Sequence, residues 1–220
     1  SCKGYRVTVL EKLDGLGGRA GVWRQDVFTF DAGPTIITAP FMLEELWALC
    51  GKRLADDVTL VPMDPCYRIR YDDGSHFDYS SDPEAMRAQV ARISPADVAG
   101  YERFVQEAEL SYRIGFEKLG SIAYDSLGDL LRASPSLVRM RGWRSLYELV
   151  ATHMQHPKLR IAFSLQSLLI GGNPFNVTSI YSLINALERR YGVHWAMGGT
   201  GALVQGLAGL LRARGVPLRC

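Results

Sequence analysis

An acidic residue placed directly after a short apolar run is the first feature of the chain that could bind a nucleotide. Residues 5–10 are mostly apolar and β-branched, so they predict a β-strand that ends at Glu11. In a dinucleotide-binding βαβ unit, the second strand ends in a carboxylate that accepts hydrogen bonds from the adenosine ribose. Glu11 occupies that position. An acidic residue in this position is, by itself, more often only a surface residue.

A glycine-rich turn with a basic side chain follows Glu11. Gly17 and Gly18 carry no Cβ atom, so their backbone N–H groups can approach a pyrophosphate, and Arg19 can neutralise its charge. Taken alone, such a turn has only some affinity for anions. Together with Glu11, it resembles the second glycine motif of amine-oxidase-type flavoproteins, and this resemblance predicts an FAD site.

Further motifs follow along the chain and extend the resemblance to essentially all 220 residues. They are Phe30-Asp31-Ala32-Gly33-Pro34-Thr35, Tyr147, Gly171-Gly172-Asn173-Pro174-Phe175, Ser179-Ile180-Tyr181, Leu187-Glu188 and Gly198-Gly199-Thr200-Gly201-Ala202-Leu203. In this order and spacing, the series resembles the bacterial phytoene desaturases, which are FAD-dependent carotenoid desaturases of the amine-oxidase-like flavoprotein superfamily. The resemblance adds Gly33, Pro34 and Thr35 to the expected cofactor-binding residues.

The resemblance implies an FAD enzyme that desaturates phytoene to more conjugated carotenoids by hydride transfer from the polyene to the flavin. It also implies peripheral association with the inner membrane, where the apolar substrate dissolves. The four widely separated cysteines indicate a reducing, cytoplasmic setting. The family's N-terminal glycine fingerprint and C-terminal flavin segment fall outside this chain, whose two ends look cut inside a larger protein. We therefore expect the isolated chain to bind FAD poorly and to be inactive.

A polar pair within Gly128-Asp129-Leu130-Leu131-Arg132 is the candidate for proton transfer. Asp129 and Arg132 match a pair that the family places near its substrate cavity, and a base there could take the proton that accompanies the hydride. The alternative is a surface ion pair between positions i and i+3 of a helix. The sequence leaves both interpretations open.

Composition excludes several other classes of function. The net charge of +2 arises from 25 basic and 23 acidic side chains scattered along the chain, which argues against nucleic acid as a partner. Four cysteines lie far apart without a histidine at ligand spacing, so no metal site is predicted. The longest run without charged residues, 161–187, is interrupted by Gly171-Gly172-Asn173-Pro174, which argues against a transmembrane helix.

The arrangement of predicted elements indicates an α/β protein with an α+β insert. A Rossmann-like FAD-binding domain, incomplete at both ends, is predicted for residues 1–60 and 195–220. Residues 61–194 are predicted to form an inserted substrate-binding and membrane-associating domain of antiparallel hairpin strands and helices. The predicted strands are 5–10, 27–30, 66–71 and 76–79, with another at the C-terminal end; the predicted helices are 41–50, one after Asp82-Pro83, 95–119, 126–133, 145–154, 157–168, 179–191 and 201–213, the last capped by Thr200.

Three alternatives remain open at this point. Relatives within the family act on C30 or hydroxylated carotenoids, or as isoprenoid oxygenases. The protein could instead be a non-catalytic binder of isoprenoids or of the membrane surface that keeps the fold without redox function. An ordinary amine oxidase would need polar or aromatic-cage residues for a cationic substrate, and the motif series between Gly171 and Ala202 argues against it.

Overall fold

The computed structural model describes residues 2–220, and of Leu130 only the backbone. The chain divides into two compact units. The first contains the residues up to Met63 together with Val193–Cys220, and the second is Asp64–Gly192. The chain therefore leaves the first unit once and returns to it.

The described chain contains eight strands and eight α-helices, and six of the helices follow one another between β6 and β7. The strands are β1 (Val9–Leu10), β2 (Val22–Gln25), β3 (Phe28–Asp31), β4 (Leu60–Pro62), β5 (Tyr67–Arg70), β6 (His76–Tyr79), β7 (His194–Ala196) and β8 (Leu218–Arg219). The α-helices are α1 (Pro40–Ala48), α2 (Pro83–Ile93), α3 (Val98–Ser111), α4 (Leu127–Arg139), α5 (Leu146–His153), α6 (Pro157–Ser164), α7 (Leu183–Tyr191) and α8 (Thr200–Ala213). This mixed content fits an α/β flavoprotein. None of the helices among the described residues is long and apolar enough to cross a membrane.

Three strand pairs build the first unit. β1 and β8 pair in parallel, with Val9 opposite Leu218, so the beginning and the end of the described chain lie side by side. β2 and β3 form an antiparallel hairpin, and β4 pairs antiparallel with β7. The strand predicted for residues 5–10 is correct in place but shorter, because only Val9 and Leu10 find a partner strand within residues 2–220.

The core of the first unit forms around α1. Trp47 is fully buried against Leu54, Val58, Ala196 and Leu210. Its indole N–H donates to the Asp57 carboxylate at 2.8 Å, so the buried polar atom of the ring has a partner. Residues that are far apart in the sequence thus share one core, to which α1, β7 and α8 all contribute.

The second unit begins with the predicted hairpin and continues with helices. β5 and β6 pair antiparallel across the Asp72–Ser75 turn, where the Asp73 carboxylate accepts from the backbone N–H of Ser75. The predicted start of α2 is also confirmed, because the Asp82 side chain accepts from the Ala85 N–H. Phe163 lies at the centre of an aromatic core and contacts the rings of Phe77, Tyr79, Tyr101 and Phe104.

Four helix predictions need correction. The helix predicted for 179–191 begins as a 3₁₀ turn over Ser179–Ser182, and α7 follows it. The helix predicted for 95–119 is a short 3₁₀ turn, then α3, and then a π-helical stretch over Tyr112–Lys118. The helix predicted to end at Ala133 continues through Pro135 to Arg139, because the buried Ala133 and Met140 pack against Ile114 and Leu119; tertiary packing outweighs the missing proline N–H. The helix predicted to end at 168 stops at Ser164 and continues as a 3₁₀ turn over Leu165–Ile170.

Candidate functional site

Glu11 lies at the end of β1, held in place by β8. Its backbone N–H donates to the carbonyl oxygen of Arg219 at 2.8 Å, and its Oε1 atom accepts from the N–H of Leu13 at 3.0 Å. The other carboxylate oxygen faces the glycine turn, since a Cβ atom added to Gly18 would lie 3.9 Å from Oε2. The structure therefore brings together the predicted acid and the predicted glycine turn.

The glycine turn has a backbone that glycine adopts readily and other residues do not. Gly17 has a φ of 127° and Gly18 a φ of 51°, and a Cβ atom on Gly17 would lie 3.1 Å from the Cα atom of Gly21. Arg19 follows in a 3₁₀ turn and is exposed, and no ion pair of its guanidinium occurs within residues 2–220. The turn thus presents backbone and a basic side chain to solvent next to Glu11.

The loop after β3 packs directly against this turn. A Cβ atom on Gly33 would lie 1.9 Å from the carbonyl oxygen of Arg19, so the two backbones touch. The N–H of Ala32 donates to the carbonyl oxygen of Gly21 at 3.0 Å. Gly33 is therefore required for this approach, and Pro34 and Thr35 follow it as exposed residues.

The N-terminus of α8 is hydrogen-bonded to the end of β3 and to the loop that follows it. Both carboxylate oxygens of Asp31 lie 3.1 Å from the backbone nitrogen of Thr200, and the Thr200 hydroxyl donates to the carbonyl oxygen of Pro34 at 2.6 Å. The prediction that Thr200 caps α8 is wrong, because Gly199 holds the cap position and Asp31 supplies the acceptor. Sequence reasoning missed this role of Asp31, since it is 169 positions from Thr200 in the sequence and no local pattern signals the contact.

These residues fit the adenosine and pyrophosphate part of a flavin dinucleotide. A carboxylate can accept from ribose hydroxyls, and a left-handed glycine pair with an exposed arginine is suited to a phosphate group. Any side chain at Gly17 or Gly18 would strain the backbone of this turn. Among residues 2–220, no cluster of three or more His, Cys, Asp or Glu side chains could hold a metal ion.

The candidate catalytic pair lies in the second unit, in the first turn of α4. Asp129 Oδ1 accepts from the Arg132 guanidinium at 3.3 Å, and Oδ2 accepts from the Ser126 hydroxyl at 2.6 Å. Ser126 caps the helix by accepting from the Asp129 N–H at 3.2 Å. The Arg132 side chain is 84% exposed, so the pair has the geometry of a surface ion pair between positions i and i+3.

A buried polar cluster in the second unit surrounds Glu188, a motif residue to which the sequence assigned no role. Its Oε2 atom accepts from the Tyr67 hydroxyl at 3.1 Å and from Gln166 Nε2 at 3.3 Å. Oε1 is buried and has no hydrogen-bond partner within the described residues. Burial raises the pKa of Glu188 to about 7, although the hydrogen bonds from Gln166 and Tyr67 oppose that rise.

Comparisons with known proteins relate the whole described chain to flavoproteins. The family of flavin containing amine oxidoreductases matches residues 2–220. The chain is 46% identical over 217 residues to phytoene desaturase (neurosporene-forming) of Cereibacter sphaeroides, an alignment that covers 99% of this chain and 42% of the relative. It is 47% identical over 212 residues to phytoene desaturase (lycopene-forming) of Pantoea ananas, covering 96% and 43%.

A more distant relative has a different substrate in its name. The chain is 29% identical over 219 residues to 4,4'-diapophytoene desaturase (4,4'-diapolycopene-forming) of a Methylomonas species, covering 98% of this chain and 42% of the relative. The chain spans about two fifths of the length of these curated relatives. On the match over residues 2–220, the chain belongs to the family of flavin-containing amine oxidoreductases.

Proposed function

We propose that the chain is part of an FAD-dependent desaturase that converts phytoene to more conjugated carotenoids. The observation that carries the proposal is the meeting of the Glu11 carboxylate with the left-handed Gly17 and Gly18 turn. The identity of 46% and 47% to two phytoene desaturases supports the choice of substrate. Desaturation removes a hydride from an unactivated hydrocarbon, and the flavin supplies the acceptor that no amino-acid side chain provides.

In this proposal, the first unit holds the FAD. Glu11 accepts hydrogen bonds from the ribose hydroxyls, and Gly17, Gly18 and Arg19 bind the pyrophosphate. Gly33, Pro34 and Thr35 complete the cofactor-binding surface beside Arg19, a placement supported by the backbone contact of Gly33. We assign to this unit a Rossmann-like FAD-binding domain, of which β1 and β8 form the parallel pair in the described chain.

We assign the second unit to substrate binding, as an inserted domain. An apolar polyene offers almost nothing to hydrogen-bond, so its site has to be built from apolar side chains. The proton that accompanies the hydride would go to Asp129, oriented by Arg132 and Ser126. This role rests on the family resemblance, since the exposure of Arg132 favours the surface ion pair. Asp129→Asn should lower turnover of the flavin-loaded enzyme, and unchanged turnover would leave only the surface pair.

Peripheral contact with a membrane surface is the remaining part of the proposal. Helix α4 exposes Leu127, Leu131 and Val138, at 81%, 72% and 59%, and it carries Arg132 and Arg139. A helix with exposed apolar and basic side chains is suited to lie at the interface of an anionic bilayer. Leu131→Glu should reduce co-sedimentation of the protein with anionic liposomes, and equal sedimentation of variant and parent would contradict this part.

The central test uses the full-length protein that contains this chain. We expect the purified protein to show flavin absorbance and to convert phytoene presented in liposomes. A well-folded protein without flavin absorbance would refute the proposal. If the protein binds flavin and leaves phytoene unreacted but converts a C30 or hydroxylated carotenoid, only the substrate assignment is wrong. If no carotenoid reacts, the assignment as a carotenoid desaturase is refuted.

A further inference from the structure

We propose that Asp31 is a positioning residue of the flavin site, which fixes the loop of Gly33, Pro34 and Thr35 by holding it to the N-terminus of α8. The inference rests on the proposed function, because the loop matters only if it contacts the cofactor. It adds a residue that would not touch the flavin itself.

The contact between Asp31 and α8 is a bifurcated hydrogen bond, in which one backbone N–H donates to both carboxylate oxygens. Both carboxylate oxygens lie 3.1 Å from the backbone nitrogen of Thr200, at the helix end where unpaired N–H groups and the macrodipole favour negative charge. Gly199, at the cap position, has a φ of 79°, and a Cβ atom there would lie 2.9 Å from Asp31 Oδ1. The helix start is therefore shaped to admit a carboxylate from a distant strand.

A second hydrogen bond fastens the same loop farther along. The hydroxyl of Thr200, a buried residue, donates to the carbonyl oxygen of Pro34 at 2.6 Å. Asp31 and Pro34 are therefore both bound to one residue, on either side of Gly33. We name these two contacts, Asp31 to Thr200 and Thr200 to Pro34, the loop clamp.

The loop clamp acts on the proposed pyrophosphate turn through Gly33. The backbones of Gly33 and Arg19 touch. If the loop of Gly33, Pro34 and Thr35 moves away from α8, Arg19 therefore loses this packing contact. A binding surface that is ordered before the ligand arrives loses less entropy on binding. Loss of the loop clamp should therefore weaken flavin affinity, although no clamp atom has to contact the flavin.

The variants separate positioning from a general contribution to stability. Asp31→Ala removes both acceptors, whereas Asp31→Asn keeps one oxygen, and asparagine caps helices about as well as aspartate. Asp82→Ala is the matched control, because Asp82 caps α2 of the second unit by accepting from the Ala85 N–H at 2.7 Å. Thr200→Val removes only the bond to Pro34, and it tests the clamp if Asp31→Ala does not fold.

The experiment titrates FAD into flavin-free full-length protein. We expect Asp31→Ala to raise the FAD dissociation constant about tenfold and Thr200→Val about threefold, while Asp31→Asn stays within about twofold and Asp82→Ala has no effect. Hydrogen exchange of the flavin-free protein gives a second measurement: the amide of Thr200 should exchange faster in Asp31→Ala than in the parent.

Each outcome bears on the inference. Faster exchange without loss of affinity would overturn the positioning role, and unchanged exchange would overturn the loop clamp. An equal loss of affinity in Asp82→Ala would reduce the effect to general stability and overturn the inference. A parent protein that binds no FAD would refute the proposed function, and the exchange of the Thr200 amide would still show whether the loop clamp exists.

Discussion

Replacement of Gly33 by alanine tests the backbone contact on which the candidate site is built. The new Cβ atom would lie 1.9 Å from the carbonyl oxygen of Arg19 and 3.0 Å from its carbonyl carbon. Atoms in good contact are about 3.5 Å apart, so the two segments have to separate by roughly 1.5 Å. The nearest atoms to the new Cβ belong to the backbone of Arg19, so the clash cannot be relieved by rotation of a flexible side chain.

The expected effect has a stability part and a binding part. Overpacking of this kind costs about 1–3 kcal/mol of unfolding free energy. Because Arg19 belongs to the proposed pyrophosphate turn, its displacement should also raise the FAD dissociation constant on the order of tenfold, which corresponds to about 1.4 kcal/mol. Both effects arise at one contact, so they should appear together.

The assay compares Gly33→Ala with Gly209→Ala in the full-length protein. Gly209 lies inside α8, and a Cβ atom there would meet nothing within 4 Å. Alanine at that position should stabilise the protein by about 0.4–1 kcal/mol, because glycine is a poor helix former. Thermal unfolding and FAD titration are measured for both variants. If Gly33→Ala matches the parent in stability and in FAD affinity, the backbone contact and the reasoning built on it are refuted.

Three further predictions concern other carboxylates. Glu11→Ala should weaken FAD retention during gel filtration but leave turnover at saturating FAD unchanged, because its proposed partner is the distant ribose; equal retention would contradict that role. Asp97→Ala should lower the unfolding free energy by about 2–4 kcal/mol in urea, because the N–H groups of Gln155 and His156, each 2.8 Å from the buried carboxylate, lose their acceptor. Burial raises the pKa of Glu188 from 4.5 to about 7, so the folded state binds this proton more tightly than the unfolded chain. The unfolding free energy should therefore fall by about 3 kcal/mol as pH rises across that interval, and Glu188→Gln should remove this part of the decline; a variant with the parent's pH dependence would argue against it.

Local interactions explain the parts of the fold that were predicted from the sequence. The hairpin of β5 and β6 follows from the Asp72–Ser75 turn, and the start of α2 follows from Asp82 before a proline. In each case, the residues that decide the structure lie within a few positions of one another. The glycine turn after Glu11 belongs to the same class, since its conformation depends on Gly17 and Gly18 themselves.

Packing between distant segments decided the lengths of α4 and β1, which the sequence did not predict. Continuation of α4 through Pro135 depends on Met140 and Ala133, which pack against Ile114 and Leu119. Proline disfavours the interior of a helix, and this local preference gives no information about packing against residues far away in the sequence. The shortness of β1 likewise reflects how much of it meets β8, which no pattern within residues 5–10 encodes.

The amino-acid sequence by itself determined which chemical groups the candidate site contains: an acid, a glycine pair, an arginine and the motif around Gly33. The residue types and their order were sufficient to list these groups, because each motif is short and local. Only the tertiary structure decided how these motifs meet, with Gly33 against Arg19 and Asp31 on Thr200. The physical reason is that close packing and hydrogen bonding depend on distance in space, and Asp31 and Thr200 are 169 positions apart in the sequence.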